Sequence, residues 1–120
     1  MELAEVIRLL QKNKNVETIV QFGSSISMKK YNDIDLCIFT VMPLSLQEKL
    51  ILIRELPELF DVCFFEDLPL HIKKRVCSGG KVLFTRDYYH FLTQMRIVEL
   101  EYPYYGRFLQ DYAQKRFAEV

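Results

Sequence analysis

The 120-residue chain fits one compact domain, and a composition half hydrophobic and 13% aromatic is enough for a real core. Its charge balances, 16 basic residues against 16 acidic, so no global excess draws it to nucleic acid or an anionic membrane. No apolar run approaches the roughly 20 residues that span a bilayer.

In chain order, Leu3, Val6, Ile7, Leu9 and Leu10 mark a helical stripe ending near "KNKN". The start of the chain, with early acids and alternating polarity, is wrong for a secretory signal. "VETIVQF" (16–22) is rich in β-branched residues and predicts a strand, and "DIDLCIFT" (33–40) predicts another. "SLQEKLILIREL" (45–56) predicts a helix with Ser45 as N-cap and Glu48 three residues on, stopping before Pro57. "FDVCFFED" (60–67) is a third strand candidate. Pro69 opens a helix through "LHIKKRVC", and Gly79-Gly80 turn the chain into a short strand, "KVLFT". From Asp87, a plausible N-cap, the rest predicts helix, broken at Pro103 and then resumed. Strands alternating with helices give an α/β (α+β) fold, a small sheet covered by helices. The expected division is a core over 1–87 and a helical C-terminal arm over 88–120 of the same domain.

Cys37, Cys63 and Cys77 have no metal-type spacing, and their odd number argues against a disulfide framework. Cys37 and Cys63 lie in apolar strands and are expected to pack as small hydrophobes in a reducing cytoplasm. His71 and His90 stand far apart and are expected on helix faces rather than at a metal.

The chemistry concentrates in "FGSSISMKKYNDIDLCIF" (22–39). Residues i and i+2 of a strand share a face, so Asp33 and Asp35 project together while Ile34 enters the opposite layer. Paired carboxylates raise one another's pKa unless a cation relieves them, and Mg²⁺ suits one or two carboxylates plus a substrate phosphate. If strands 33–40 and 60–65 are neighbours, Asp61 completes a cluster of three acids. Gly23 permits close backbone approach, while Ser24 offers a hydroxyl and an N–H before a predicted helical turn, "SISMKK". Lys29 and Lys30 either add positive charge there or are simply solvated. Taken singly, Gly-Ser is an ordinary turn, Asp33 a backbone cap and Asp61 a solvent-facing strand residue. Their order carries the functional reading.

That order resembles the minimal nucleotidyltransferases of the DNA polymerase β superfamily, whose pattern falls on Gly23, Ser24, Asp33, Asp35 and Asp61. The likeness runs from about residue 5 to 87 and includes "GGKVLFTRD". It implies a small mixed sheet with helices and transfer of a nucleoside monophosphate from a nucleoside triphosphate, ATP. By the same implication Asp33, Asp35 and Asp61 are catalytic and hold two Mg²⁺ ions, and Gly23, Ser24 and Ser25 bind the nucleotide. The eight-residue spacer "SISMKKYN" is shorter than is usual in the family and lacks its Arg and second Gly.

The chain has no room for an added acceptor-binding domain, so the acceptor is expected on a second protein. The resemblance implies a HEPN-domain toxin, with the chain as its antitoxin, adenylylating a tyrosine. Homo-oligomerisation stays open. Six of the seven tyrosines fall in the C-terminal arm, which offers a docking surface. Equally, Phe91, Leu92, Ile97, Leu100, Phe108 and Leu109 face the core and the tyrosines border it. The alternatives are a catalytically weak or inactive module that neutralises its partner by binding, and an enzyme acting on a small molecule or an RNA end. Neutral charge speaks against RNA.

Overall fold

The computed structural model describes residues 1–23 and 33–118, with side chains to residue 103. The elements are α1 (Leu3–Gln11), β1 (Val16–Phe22), β2 (Ile34–Thr40), α2 (Leu46–Ile53), β3 (Phe60–Phe64), α3 (Leu70–Gly79), β4 (Lys81–Thr85) and α4 (Tyr88–Ala118). The four strands form one mixed sheet in the order β3-β2-β1-β4. β1 is antiparallel to β2 and to β4, whereas β2 and β3 run parallel. A parallel pair cannot be joined by a hairpin, and α2 supplies the crossover. The architecture is the mixed α/β one expected from the sequence.

Local chemistry explains the element ends. Ser45 Oγ accepts from the Glu48 N–H at 3.2 Å while Glu48 accepts from the Ser45 N–H at 3.4 Å, a reciprocal cap on α2. Asp87 Oδ1 accepts from the His90 N–H at 3.0 Å and caps α4. Two expectations are corrected. The third strand ends at Phe64, and Phe65–Asp67 form a single tight 3₁₀ turn that swings Phe65 inward. The final helix also runs through Pro103 without a break. Proline removes one backbone donor and crowds the preceding turn, and the remaining hydrogen bonds of a long helix can carry the chain past it.

The period-2 alternation of the strands divides the core in two. On one face Val16, Ile19, Leu36, Ile38 and Phe64 pack under Val6 and Leu10 of α1. On the other, Val20, Cys37 and Phe39 pack with Phe65, Val76 and Cys77 of α3, and Phe91 and Val98 of α4. Phe39 stacks on Phe65 with ring centroids 4.1 Å apart and meets Phe91 edge-on at 5.2 Å. Of the arm residues expected to face the core, Phe91 does so, whereas Leu92, Ile97 and Leu100 are exposed and Val98 takes the inner position. Phe108 and Leu109 lie outside the described side chains. Among the described residues no helix is long and apolar enough to cross a membrane.

Candidate active site

The sheet brings the sequence motif together at one end. β1 finishes at Phe22, which sits opposite Asp35 in the antiparallel register, and Asp35 sits opposite Asp61 in the parallel one. Asp35 shares its face with Cys37 and Phe39, the layer covered by α3 and α4. Two acids 26 residues apart in the chain are thereby side by side, at the starts of adjacent strands. Asp33 lies just before β2 and is exposed, as is Asp61, while Asp35 is half-buried.

Gly23 takes φ +82°, the left-handed region that only glycine adopts without cost. A Cβ built there would lie 2.4 Å from Asp35 Oδ2. The bend after β1 thus lays bare backbone directly against the central carboxylate. Asp61 stands close enough for its charge to bear on Asp35. Burial pushes the Asp35 carboxyl above its ordinary value, the charges of Asp61 and then Asp33 push it further, and Arg75 partly offsets them.

Arg75 is absent from the sequence reading. It is exposed on α3, and only the packing of that helix over the sheet carries its charge to Asp35. Within "KKRVCSGG" it resembles any solvated helix residue, so no local signal marks it.

Ser24, Ser25, Lys29 and Lys30, together with the expected turn "SISMKK" and the rest of the spacer, lie outside the described residues. Among the described residues no group of three or more His, Cys, Asp or Glu side chains is gathered to hold a metal ion. The donor set of Asp35 and Asp61 still fits a hard divalent cation: two adjacent oxygen donors whose mutual repulsion a cation would relieve, beside a backbone cradle that a Cβ would fill.

The cysteines behind the acids are free. Cys37 and Cys63 are register partners, and the Cys63 Sγ–H reaches the Leu36 carbonyl at 3.5 Å. Burial raises the Cys37 thiol and carries that of Cys77 to about 11, in keeping with thiols packed as apolar groups. His71 is exposed on α3. His90 is engaged by the buried Glu17.

The family model described as polymerase beta, nucleotidyltransferase matches residues 4–89, most of the chain. Solved structures share the fold. A chain of a mutant toxin–antitoxin MntA–HpeT superimposes with TM-score 0.69 and 17% identity, covering 100% of this chain and 98% of the other. A toxin–antitoxin with AMP-PNP gives 0.68 and 18%, with the same coverage. The tri-AMPylated Shewanella oneidensis HEPN toxin in complex with MNT antitoxin gives 0.63 and 20%, covering 98% of this chain and 93% of the other. No curated protein sequence matches significantly.

Proposed function

Because the chain belongs to the polymerase β nucleotidyltransferase family, we propose that it transfers AMP from ATP to a hydroxyl of a partner protein. The partner is a HEPN-domain toxin, the acceptor a tyrosine, and the chain its antitoxin. One observation carries this reading: Asp35 and Asp61 stand in register with the Gly23 backbone against them. The fold neighbours support the partner, since one is an AMPylated HEPN toxin bound to its MNT antitoxin.

In the proposed reaction the acceptor oxygen attacks the α-phosphorus in line. The bond to the bridging oxygen breaks, and its electron pair leaves with pyrophosphate. Asp61, exposed at the start of β3, receives the acceptor proton directly or through water. Asp35, with Asp33 before it and Asp61 beside it, would hold Mg²⁺. The cation would supply charge neutralisation on the phosphates and acidification of the acceptor hydroxyl. Gly23 keeps the approach to Asp35 open, with Ser24 and Ser25 following it as ligands for the β- and γ-phosphates. Arg75 adds a positive charge near the acids, where a triphosphate brings negative charge. The gain from all of these is positioning and electrostatics rather than covalent chemistry.

A second reading is neutralisation by binding alone. The observation in its favour is that no group of three acids is gathered for a metal among the described residues. Intact-protein mass spectrometry separates the two. The chain is incubated with Mg²⁺-ATP and its HEPN partner, alongside an Asp33→Ala/Asp35→Ala control. The proposal expects AMP on the partner with the wild type only. A stable complex carrying no AMP would select the binding module.

A further inference from the structure

Asp35 and Asp61 are not the only reactive pair that the parallel register brings together. Two residues further along each strand, Cys37 of β2 stands opposite Cys63 of β3. Strand alternation puts both thiols on the face that carries the acids, the face covered by α3 and α4. The two strands thus repeat one pattern, Asp-Leu-Cys against Asp-Val-Cys, with the acid pair near the strand starts and the thiol pair directly behind it. Both thiols are free.

Neighbouring strands run roughly 4.8 Å apart, which places the Cα atoms of register partners within the ~4.4–6.8 Å that a disulfide spans. The Cys63 side chain already leans across the gap. Its Sγ–H reaches the Leu36 carbonyl at 3.5 Å, and that carbonyl belongs to the peptide bonded to Cys37.

The partners differ in exposure. β3 is an edge strand and Cys63 on it is half-buried, whereas Cys37 on the inner strand β2 is fully buried. A small oxidant therefore meets Cys63 first, with a second thiol beside it. Cys77 comes from α3 and is buried in the same apolar cluster, without a strand register to align it with either partner.

We propose that Cys37 and Cys63 form an oxidation site, a dithiol that hydrogen peroxide closes into a disulfide across β2 and β3. The Cys63 sulfur attacks one peroxide oxygen and the O–O bond breaks. The leaving hydroxide takes the thiol proton to become water, so Cys63 is oxidised to a sulfenic acid while the peroxide is reduced. Cys37 then attacks the Cys63 sulfur. Its S–H proton leaves with the expelled hydroxide as a second water, and the S–S bond forms. Holding the two sulfurs side by side favours this step over further oxidation of Cys63. A thiol reductant reverses it, as suits a transient bond in a reducing compartment. The bond ties the strands together one strand repeat from Asp35 and Asp61. Its bearing on transfer rests on the proposed function, whereas the bond itself does not.

The test reads no activity, so its outcome is separate from that of the nucleotidyl-transfer experiment. The full chain is treated with hydrogen peroxide, the excess is removed with catalase, and the remaining thiols are alkylated under denaturing conditions before peptide mapping by mass. Tryptic cleavage at Lys49 and Arg54 separates the two cysteines. Free thiols should fall from three to one, the intact monomer should lose two hydrogen atoms, and one peptide pair should join Cys37 to Cys63. Dithiothreitol should restore all three thiols. Cys77→Ser should still close the bond and Cys63→Ser should not, while the mapping of the wild type decides the matter even if a variant fails to fold. Sulfinic or sulfonic acid on Cys63 with Cys37 still free would overturn the proposal. So would a cross-link through Cys77, or three free thiols after treatment.

Discussion

Replacing Gly23 by alanine perturbs the site through a single methyl group, and two separate effects can be read from the geometry. The first is backbone strain: at φ +82° an L-residue costs about 1–2 kcal/mol relative to glycine. The second is steric. The new Cβ would stand 2.4 Å from Asp35 Oδ2, where ordinary contact begins at 3.4 Å, so the carboxylate must retreat by about 1 Å. Misplacing a catalytic group on that scale costs about 10²-fold in rate. The expected outcome is a urea midpoint lower by the equivalent of the backbone cost, about 1–2 kcal/mol, plus the cost of displacing the carboxylate, with AMP transfer about a hundredfold slower. The KM for ATP should change much less than kcat. Introducing Gly23→Ala into an Asp35→Ala background isolates the steric part, since the carboxylate is gone and only the backbone cost remains. The double variant should then lose less stability on the glycine change than the wild type does. Equal losses in both backgrounds, with transfer intact, would refute the contact between Gly23 and Asp35 as a feature of the site.

Asp35 should contribute instability at neutral pH. Its folded pKa is raised above 3.8, so between 3.8 and that raised value the folded state binds more protons than the unfolded. Stability therefore falls as pH rises through that window, and the penalty is complete above it. In metal-free buffer at pH 7, Asp35→Asn should melt above the wild type by the equivalent of a few tenths of a kcal/mol, solvent screening keeping the gain small, while transfer is lost. Added Mg²⁺ should raise the wild-type Tm and leave Asp35→Asn unmoved; the reverse order would contradict the cation role. Arg75→Gln removes the charge that offsets the repulsion at Asp35, so the pH midpoint of the wild-type stability loss should move upward and the KM for ATP rise several-fold. The neighbouring glycines at the end of α3, Gly79 as its last residue and Gly80 as its C-cap, should respond with opposite signs. A Cβ on Gly79 meets nothing within 4 Å, and Gly79→Ala should stabilise by about 0.5–1 kcal/mol. A Cβ on Gly80 would lie 2.2 Å from the Val76 carbonyl oxygen and 2.4 Å from Val20 Cγ1, and Gly80→Ala should destabilise by about 1–3 kcal/mol in urea unfolding.

The legible parts of the sequence were those whose signals are local. β-Branched runs located β1 and β2, the Ser45–Glu48 pair located the start of α2, and Asp87 the start of α4. The order Gly-Ser, Asp-x-Asp and a later strand acid was visible as a motif because strand alternation puts Asp33 and Asp35 on one face. The meeting of Asp35 and Asp61 was conditional on strand order, which no local pattern encodes; it follows from the parallel pairing of β2 and β3. Arg75 and the Glu17–His90 pair were not legible, because each depends on which turn of α3 or α4 packs over which strand. Of the two readings open for the arm, the one that turned Leu92, Ile97 and Leu100 to the core fails for those three, since Phe91 and Val98 are the buried positions and the other three are exposed. The helix running past Pro103 escaped notice because proline's local cost is readable in sequence, while the cooperative hydrogen bonding that outweighs it is not.

The central claim, transfer of a nucleoside monophosphate, is tested most directly by the fate of two phosphorus labels. The chain and its HEPN partner are incubated with Mg²⁺ and ATP labelled at either the α- or the γ-phosphorus, and the partner is then isolated under denaturing conditions. The account predicts label on the partner from α-labelled ATP alone, abolished by Asp33→Ala/Asp35→Ala. Label from γ-labelled ATP would mean phosphoryl rather than nucleotidyl transfer, and label from neither would leave the chain a binding module and contradict the account.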